Sequence, residues 1–343
     1  MPHQGLQLKG GTTKGAIVPG APGEKEIAAF IADTMRNTGI EVEIHEPHPG
    51  RTSVLARLEG TGAGHSLMLN AHSDTVGVEG MAEPFSGAIR DGKLYGRGAY
   101  DMKGSLAACM AAFKALSDVG PKLRGDVLLA AVANEEYGSL GTSHLLTCVM
   151  PGAAIVTEPT GLDVCLAHKG YLWIEVEVAG RAAHGSRFEL GVDANLKMGL
   201  FLAELSKLER DLRSRHPHRL VGPPSLHAAM LHGGSGLSTY AERRTVPGET
   251  EARAVAEIQE IVDRLARDDR DFHATVRCYF AREPFEARAD SPIVQCIDGV
   301  AARVRGPAPR HIGDTPWMDA ALLQGAGGRK ARMLTWNGWT SSR

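Results

Sequence analysis

The sequence predicts an α/β protein, a mostly parallel sheet covered by helices on both faces and interrupted by a smaller α+β insertion. Three observations carry this. Continuous apolar runs at residues 67–71, 127–133 and 153–157 have the look of strands buried on both faces. They alternate with helix-period segments through short links. After Ala167 the pattern shifts to half-exposed strands and longer amphipathic helices, then returns to the first kind near Ser291.

Residues 1–23 are Gly/Pro-rich and read as an irregular lead-in. Residues 24–38 form a helix, with Ile27, Phe30, Ile31 and Met35 on one face and Gly39 as the stop. Residues 41–44 and 53–58 are strands, and 67–71 is a buried strand. Residues 105–117, rich in Ala, Leu and Met, form a helix, and 127–133 and 153–157 are buried strands. In the insertion, 171–178 alternates as a strand, 192–212 is an amphipathic helix, and 225–231 is a strand. A second helix at 250–267 and a strand at 274–280 complete it. The main domain thus takes residues 1–168 and 287–343, resuming with a helix at 292–304, and the insertion takes 169–286.

A net charge of -2 gives no reason to expect nucleic acid or an anionic membrane surface as partner. No apolar run approaches the roughly 18 residues of a membrane-spanning helix. The opening residues lack the basic and apolar regions of a signal peptide. The five cysteines are scattered, without a C-x-x-C, and read as free thiols of a reducing compartment, so a cytoplasmic location is expected.

Four motifs place a His or carboxylate where an apolar run ends or a helix begins. They are His72-Ser73-Asp74, then Gly96-Arg97-Gly98-Ala99-Tyr100-Asp101-Met102-Lys103-Gly104, then Asn134-Glu135-Glu136, then Glu158-Pro159. In an open α/β sheet, ligands bind beyond the carboxyl ends of the strands. One His and several carboxylates converging there point to a zinc site with a carboxylate bridge and a carboxylate base. Each residue also has a plainer explanation. His72 alone is most simply a polar core residue, Asp101 a cap for the helix that follows, and the Glu pair a solvated acidic turn. Asp74 on the same face as His72, and the buried strand running directly into Glu135 and Glu136, favour the metal site.

In this order the motifs resemble the dinuclear zinc amidohydrolases. That family includes acetylornithine deacetylase, succinyl-diaminopimelate desuccinylase, aminoacylases and carboxypeptidase G-type enzymes. The wording is most similar to the acetylornithine deacetylase branch, over roughly residues 18–325. The resemblance implies a zinc-peptidase-like catalytic domain with an inserted lid that also carries a homodimer contact. It implies two Zn2+ ions, with Co2+ as a substitute, held by His72, Asp101 as bridge, Glu136 and Glu158. Asp74 would orient His72, and Glu135 would be the general base. His184, in Ala182-Ala183-His184-Gly185-Ser186, would reach a partner subunit's site and stabilise the oxyanion. Arg244 would hold a substrate carboxylate. His168, Lys169 and Asp319 are weaker candidates. The implied reaction is hydrolysis of the amide of an N-acyl amino acid. An aminopeptidase or dipeptidase, or a non-catalytic relative, is the alternative.

The chain departs from that family in one ligand. A further zinc-binding His is expected near the C-terminus, and the last histidine here is His311. The segment from Gly327 lacks a clear strand period. Regrouping the codons from Lys330 by one base permits Gly-Ala-His-Ala and forces two acidic residues, one from Trp336 into Asn337 and one from Trp339 into Thr340. The expectation is therefore a frame-shifted tail and an impaired second zinc site. The segment Thr239-Tyr240-Ala241-Glu242-Arg243-Arg244 also looks about six residues short of the family's lid strand.

Overall fold

Aliphatic runs bounded by Gly, Pro and Asp set the strands, and apolar stripes of helical period set the helices between them. The computed structural model describes residues 23–233, 236–326 and 332–336. In chain order these begin with α1 (Lys25–Arg36), β1 (Glu41–His48), β2 (Arg51–Leu58), β3 (Leu67–His72), β4 (Ala88–Arg90) and β5 (Lys93–Tyr95). Next come α2 (Gly104–Val119), β6 (Val127–Val132), α3 (Leu140–Cys148), β7 (Ala153–Val156) and β8 (Val164–His168). β9 (Gly170–Ala179), α4 (Ala194–Ser214), β10 (Ser225–Gly233), β11 (Gly236–Thr245), α5 (Glu251–Asp268) and β12 (Ala274–Arg282) follow. The chain continues with β13 (Phe285–Glu286), α6 (Pro292–Arg305), β14 (His311–Asp314), α7 (Ala320–Ala326) and β15 (Arg332–Trp336). Two compact units result. One takes the chain up to Leu166, Ala287–Ile312 and the residues from Met318 on; the other takes Ala167–Glu286 with Gly313–Trp317.

The first unit is built on a sheet of strand order β1-β2-β6-β3-β7-β15-β8. The central strands β6, β3, β7 and β15 run parallel; β2 and β8 flank them antiparallel, and β1 pairs antiparallel with β2 at the edge. On one face Val54, Ala56, Ala71, Leu129 and Ala131 pack beneath α1 (Ala28, Ile31, Met35) and α2 (Leu106, Cys109, Phe113). The alternate residues Leu55, Met68, Leu128 and Ala130 are buried as well. A sheet covered on both faces needs exactly such unbroken apolar strands, in which sequence shows no period of two. α3 packs against β2 and β6, and α6 and α7 against β15. Gly141 lets α3 start flush against the sheet, because a Cβ there would lie 2.5 Å from the Ala133 nitrogen.

The tail segment whose sequence lacks a clear strand period contains β15. Arg332–Trp336 pairs parallel to β7 and antiparallel to β8. A strand bonded on both sides in a doubly covered sheet shows no alternation to find. The other residues of the tail on which the frame-shift argument rests, 327–331 and 337–343, lie outside the described residues, as does most of the 1–23 lead-in.

The second unit is an antiparallel sheet of order β10-β11-β9-β12. Leu172, Ile174, Val176 and Val178 alternate along β9 onto one face, where Met198, Phe201 and Leu205 of α4 and Ala254, Ile258 and Ile261 of α5 cover them. The Asp193 carboxylate accepts from the Asn195 and Leu196 nitrogens, and the Thr250 hydroxyl from that of Arg253, so both helices are capped at their N-termini. β11 pairs with β9 without a break from Gly236 to Thr245.

Candidate metal centre

The parallel register brings the site together. Asn70 pairs with Val156, so two residues further on His72 and Glu158 stand level at the carboxyl ends of β3 and β7. His72 pairs with Val132, so the Asn134-Glu135-Glu136 turn begins just beyond it. Asn134 adopts a left-handed φ of 66°, which asparagine tolerates, and its carbonyl accepts from the Gly138 and Ser139 nitrogens. The turn sends its two glutamates to different neighbours. Ligand atoms of His72, Asp101 and Glu136 lie within 4.8 Å of one another, and so do those of His72, Glu135 and Glu158. His72 Nε2 is 3.0 Å from Asp101 Oδ1 and 3.6 Å from Glu158 Oε1.

Asp74 holds the turn rather than the ring alone. Its two carboxylate oxygens accept the Glu135 and Glu136 backbone N–H groups, each at 3.1 Å. The nearer partner of His72 Nδ1 is the Asp74 backbone carbonyl at 3.0 Å, with the carboxylate at 3.5 Å. This refines the expected carboxylate-to-ring bond: the Asp74 oxygens are aimed at the two amides. Glu136 Oε1 accepts from the Val76 nitrogen at 3.2 Å.

The electrostatics are those of a buried acidic well. Burial, with the Glu158 charge, pushes Glu135 well above the usual carboxylate range. Burial likewise raises Glu158 to about 8 and lifts Glu136, where Asp101 adds to it. Burial alone would lower His72, but Glu158 and the bonds to Asp101 and Asp74 hold it well above the ordinary histidine value. Burial pulls Lys103 downward although Asp74, Asp101 and Glu136 surround it. Carboxylates crowded out of water around one imidazole fit a divalent cation.

Asp319, a weaker candidate in the sequence, is joined to this site by two residues that sequence inspection misses, Asn70 and Thr142. Asn70 Nδ2 donates to Thr142 Oγ1 at 3.1 Å, and that hydroxyl donates to Asp319 Oδ2. All three residues are buried, and Asp319 lies close enough for its charge to act on Glu135 and Glu158. A lone Asn in the apolar run of β3 was the available signal.

The remaining candidates lie in the second unit. His184 is exposed at the start of the turn Gly185–Leu190, with Nδ1 2.8 Å from Ser186 Oγ. Arg244 is half-buried, paired with Glu242 and stacked 5.1 Å over the Tyr171 ring. Its neighbour Arg243 is fully buried and is bonded to Glu249 and Glu257. His311, the last histidine, pairs with Asp298 of α6.

Comparison with known proteins agrees with this geometry. The sequence pattern of peptidase family M20/M25/M40 matches residues 68–338. The N-formyl-4-amino-5-aminomethyl-2-methylpyrimidine deformylase of Bacillus subtilis (strain 168) is 29% identical over 280 residues, covering 73% of this chain and 65% of that protein's own length. Among solved structures, aminopeptidase PepT from Bacillus cereus superposes with a TM-score of 0.73 at 19% identity, over 92% of this chain and 84% of its own. The metallo-carboxypeptidase Sso-CP2 from Sulfolobus solfataricus gives 0.71 at 18%, over 91% and 86%. Human carnosine dipeptidase 1 gives 0.68 at 16%, over 92% and 83%. At such identities the structural likenesses speak for the fold.

Proposed function

The chain belongs to peptidase family M20/M25/M40, and on that premise we propose that it is a metal-dependent hydrolase removing the acyl group from a small N-acyl amine, an N-acyl amino acid first of all. The observation that carries this is the convergence of His72, Asp101, Glu136 and Glu158, with Glu135 beside them, at one edge of a parallel sheet. In this proposal His72, Asp101 and Glu158 would hold one divalent ion, and Asp101 and Glu136 would contribute to a second. Such an ion, when bound, polarises the amide carbonyl and acidifies a water.

The chain's own residues do the rest. Asp74 fixes the turn through the two amides it accepts, so Glu135 and Glu136 keep separate stations. Glu135, as the carboxylate, takes the proton of the attacking water and passes it to the leaving amine, and the burial that raises its proton affinity suits it to hold that proton between the two steps. His184 from a second copy of the chain donates to the carbonyl oxygen as charge develops there. Arg244 receives the substrate carboxylate, exchanging its pairing with Glu242 for it.

Two observations favour an acyl group over a peptide. The motifs have the wording of the deacetylase branch, and the sequence relative at 29% identity is named a deformylase, whereas the peptidase likenesses are of fold. The test is amine release by the zinc- or cobalt-loaded protein from N-acetylornithine, N-formyl amines and a dipeptide set. Faster cleavage of dipeptides would make it a peptidase. No cleavage of any substrate by fully loaded protein would make it a non-catalytic relative.

A further inference from the structure

A second cluster of metal-binding side chains stands apart from the residues assigned above. His144 and Cys148 are four residues apart on α3 and so share one of its faces. His45 of β1 meets them there. The His45 and His144 rings are 5.4 Å apart, His144 Nε2 is 3.8 Å from Cys148 Sγ, and one ligand atom from each of the three lies within 4.8 Å of the others. His45 Nε2 is buried and makes no hydrogen bond. The nearest acid is Glu43, two residues back on the same face of β1, with Oε2 3.3 Å from that nitrogen. Cys148 is a free, exposed thiol, so the cluster opens to solvent.

We propose that His45, His144 and Cys148 form a second, independent site for a zinc-class ion, with two nitrogen donors and one sulfur donor. Zinc binds nitrogen at about 2.0–2.1 Å and sulfur at about 2.3 Å, so tetrahedral geometry sets such a pair of donors about 3.6 Å apart. His144 and Cys148 already stand at nearly that separation. The His45 donor lies within 4.8 Å of both, and Glu43 Oε2, 3.3 Å from His45 Nε2, is the acid beside it. A thiolate selects zinc, cobalt or copper over magnesium and calcium, which distinguishes this site from the carboxylate-rich centre. An ion here ties the edge strand β1 to α3, so it stabilises the fold by mass action.

Cobalt supplies the test. Metal-free full-length protein titrated with Co2+ should develop a thiolate-to-cobalt charge-transfer band. Cys148→Ser should abolish the band and remove about one bound ion per chain, and His144→Gln should weaken it strongly. His72→Ala should leave it intact, because the centre around His72 uses no sulfur. Absence of the band in the native chain, or its survival in Cys148→Ser, overturns the proposal. A measurement needing no variant is alkylation of Cys148 by iodoacetamide, read by peptide mass spectrometry. Zn2+ should slow it about tenfold or more by occupying the thiolate, and an unchanged rate also overturns the proposal.

Discussion

Glu135 and Glu136 adjoin in the chain and part in the fold, one toward His72 and Glu158, the other toward His72 and Asp101. The proposed roles therefore separate by substitution. Glu135→Gln should retain bound zinc and lower kcat by about 10²-fold or more, the scale of a general base. Glu136→Gln should lose metal, as measured by elemental analysis. Loss of metal from Glu135→Gln instead would exchange the two roles. The Arg243-Arg244 pair separates the same way. Arg243→Ala removes a fully buried partner of Glu249 and Glu257, leaves them only the part-exposed Arg215, and should cost about 2–3 kcal/mol in urea unfolding. Arg244→Ala should change stability by less than about 1 kcal/mol, since its ion pair is half-exposed, and should raise KM for substrates carrying a carboxylate. His72 and the glutamates are legible in sequence because each directly follows an apolar run. The burial of Arg243 beside a half-exposed Arg244 is not, because alternation along β11 decides it and two adjacent arginines look alike before the strand's faces are known.

Long amphipathic or uniformly apolar segments are equally readable, and α1, α2, α4, α5, β3 and β6 fall where their periodicity puts them. Short pieces were lost. α3 carries small and polar residues among its leucines, and β8 is too brief to distinguish from a loop. The β4–β5 hairpin had a signal in Asp91-Gly92, whose φ values of 52° and 72° suit a tight turn of that composition. One tie between elements invites a measurement. The Asp163 carboxylate, just before β8, accepts the Arg310 backbone nitrogen at 3.0 Å and its Nε at 2.9 Å, just before β14. Burial opposes the charge of Asp163, but the bonds and charge of Arg310 outweigh it and hold the carboxyl below its ordinary 3.8. A depressed value stabilises the fold above the unfolded-state pKa and ceases to do so as pH falls through the folded one. Asp163→Ala should thus cost about 1–2 kcal/mol near neutral pH. The gap between variant and native protein should close as unfolding is measured toward about pH 3.

At the level of the molecule, two proposals concern what a single chain lacks. If His184 serves the site of a second copy, the protein sediments as a dimer, and mixing His184→Ala with Glu135→Gln chains restores activity. Random exchange at equal amounts gives each mixed dimer one intact site, roughly a quarter of native activity. Mixtures as inactive as their parents would confine each site to one chain. If Asp101 and Glu136 alone contribute to the second ion, as proposed, that ion is short of a donor. In a Cys148→Ser background the chain should then hold about one tightly bound zinc rather than two. The strand order has a consequence for how the protein is made. β7 and β8 follow each other closely in the chain, yet β15 lies between them, some 160 residues after both. A nascent chain leaving the ribosome can assemble β1, β2, β6, β3 and β7, but it must carry an open slot in the middle of its main sheet until β15 emerges. The second unit has no such debt and can close first. Until translation passes residue 336, the exposed edges of β7 and β8 are where a chaperone should be found bound, and where premature termination should turn product into aggregate.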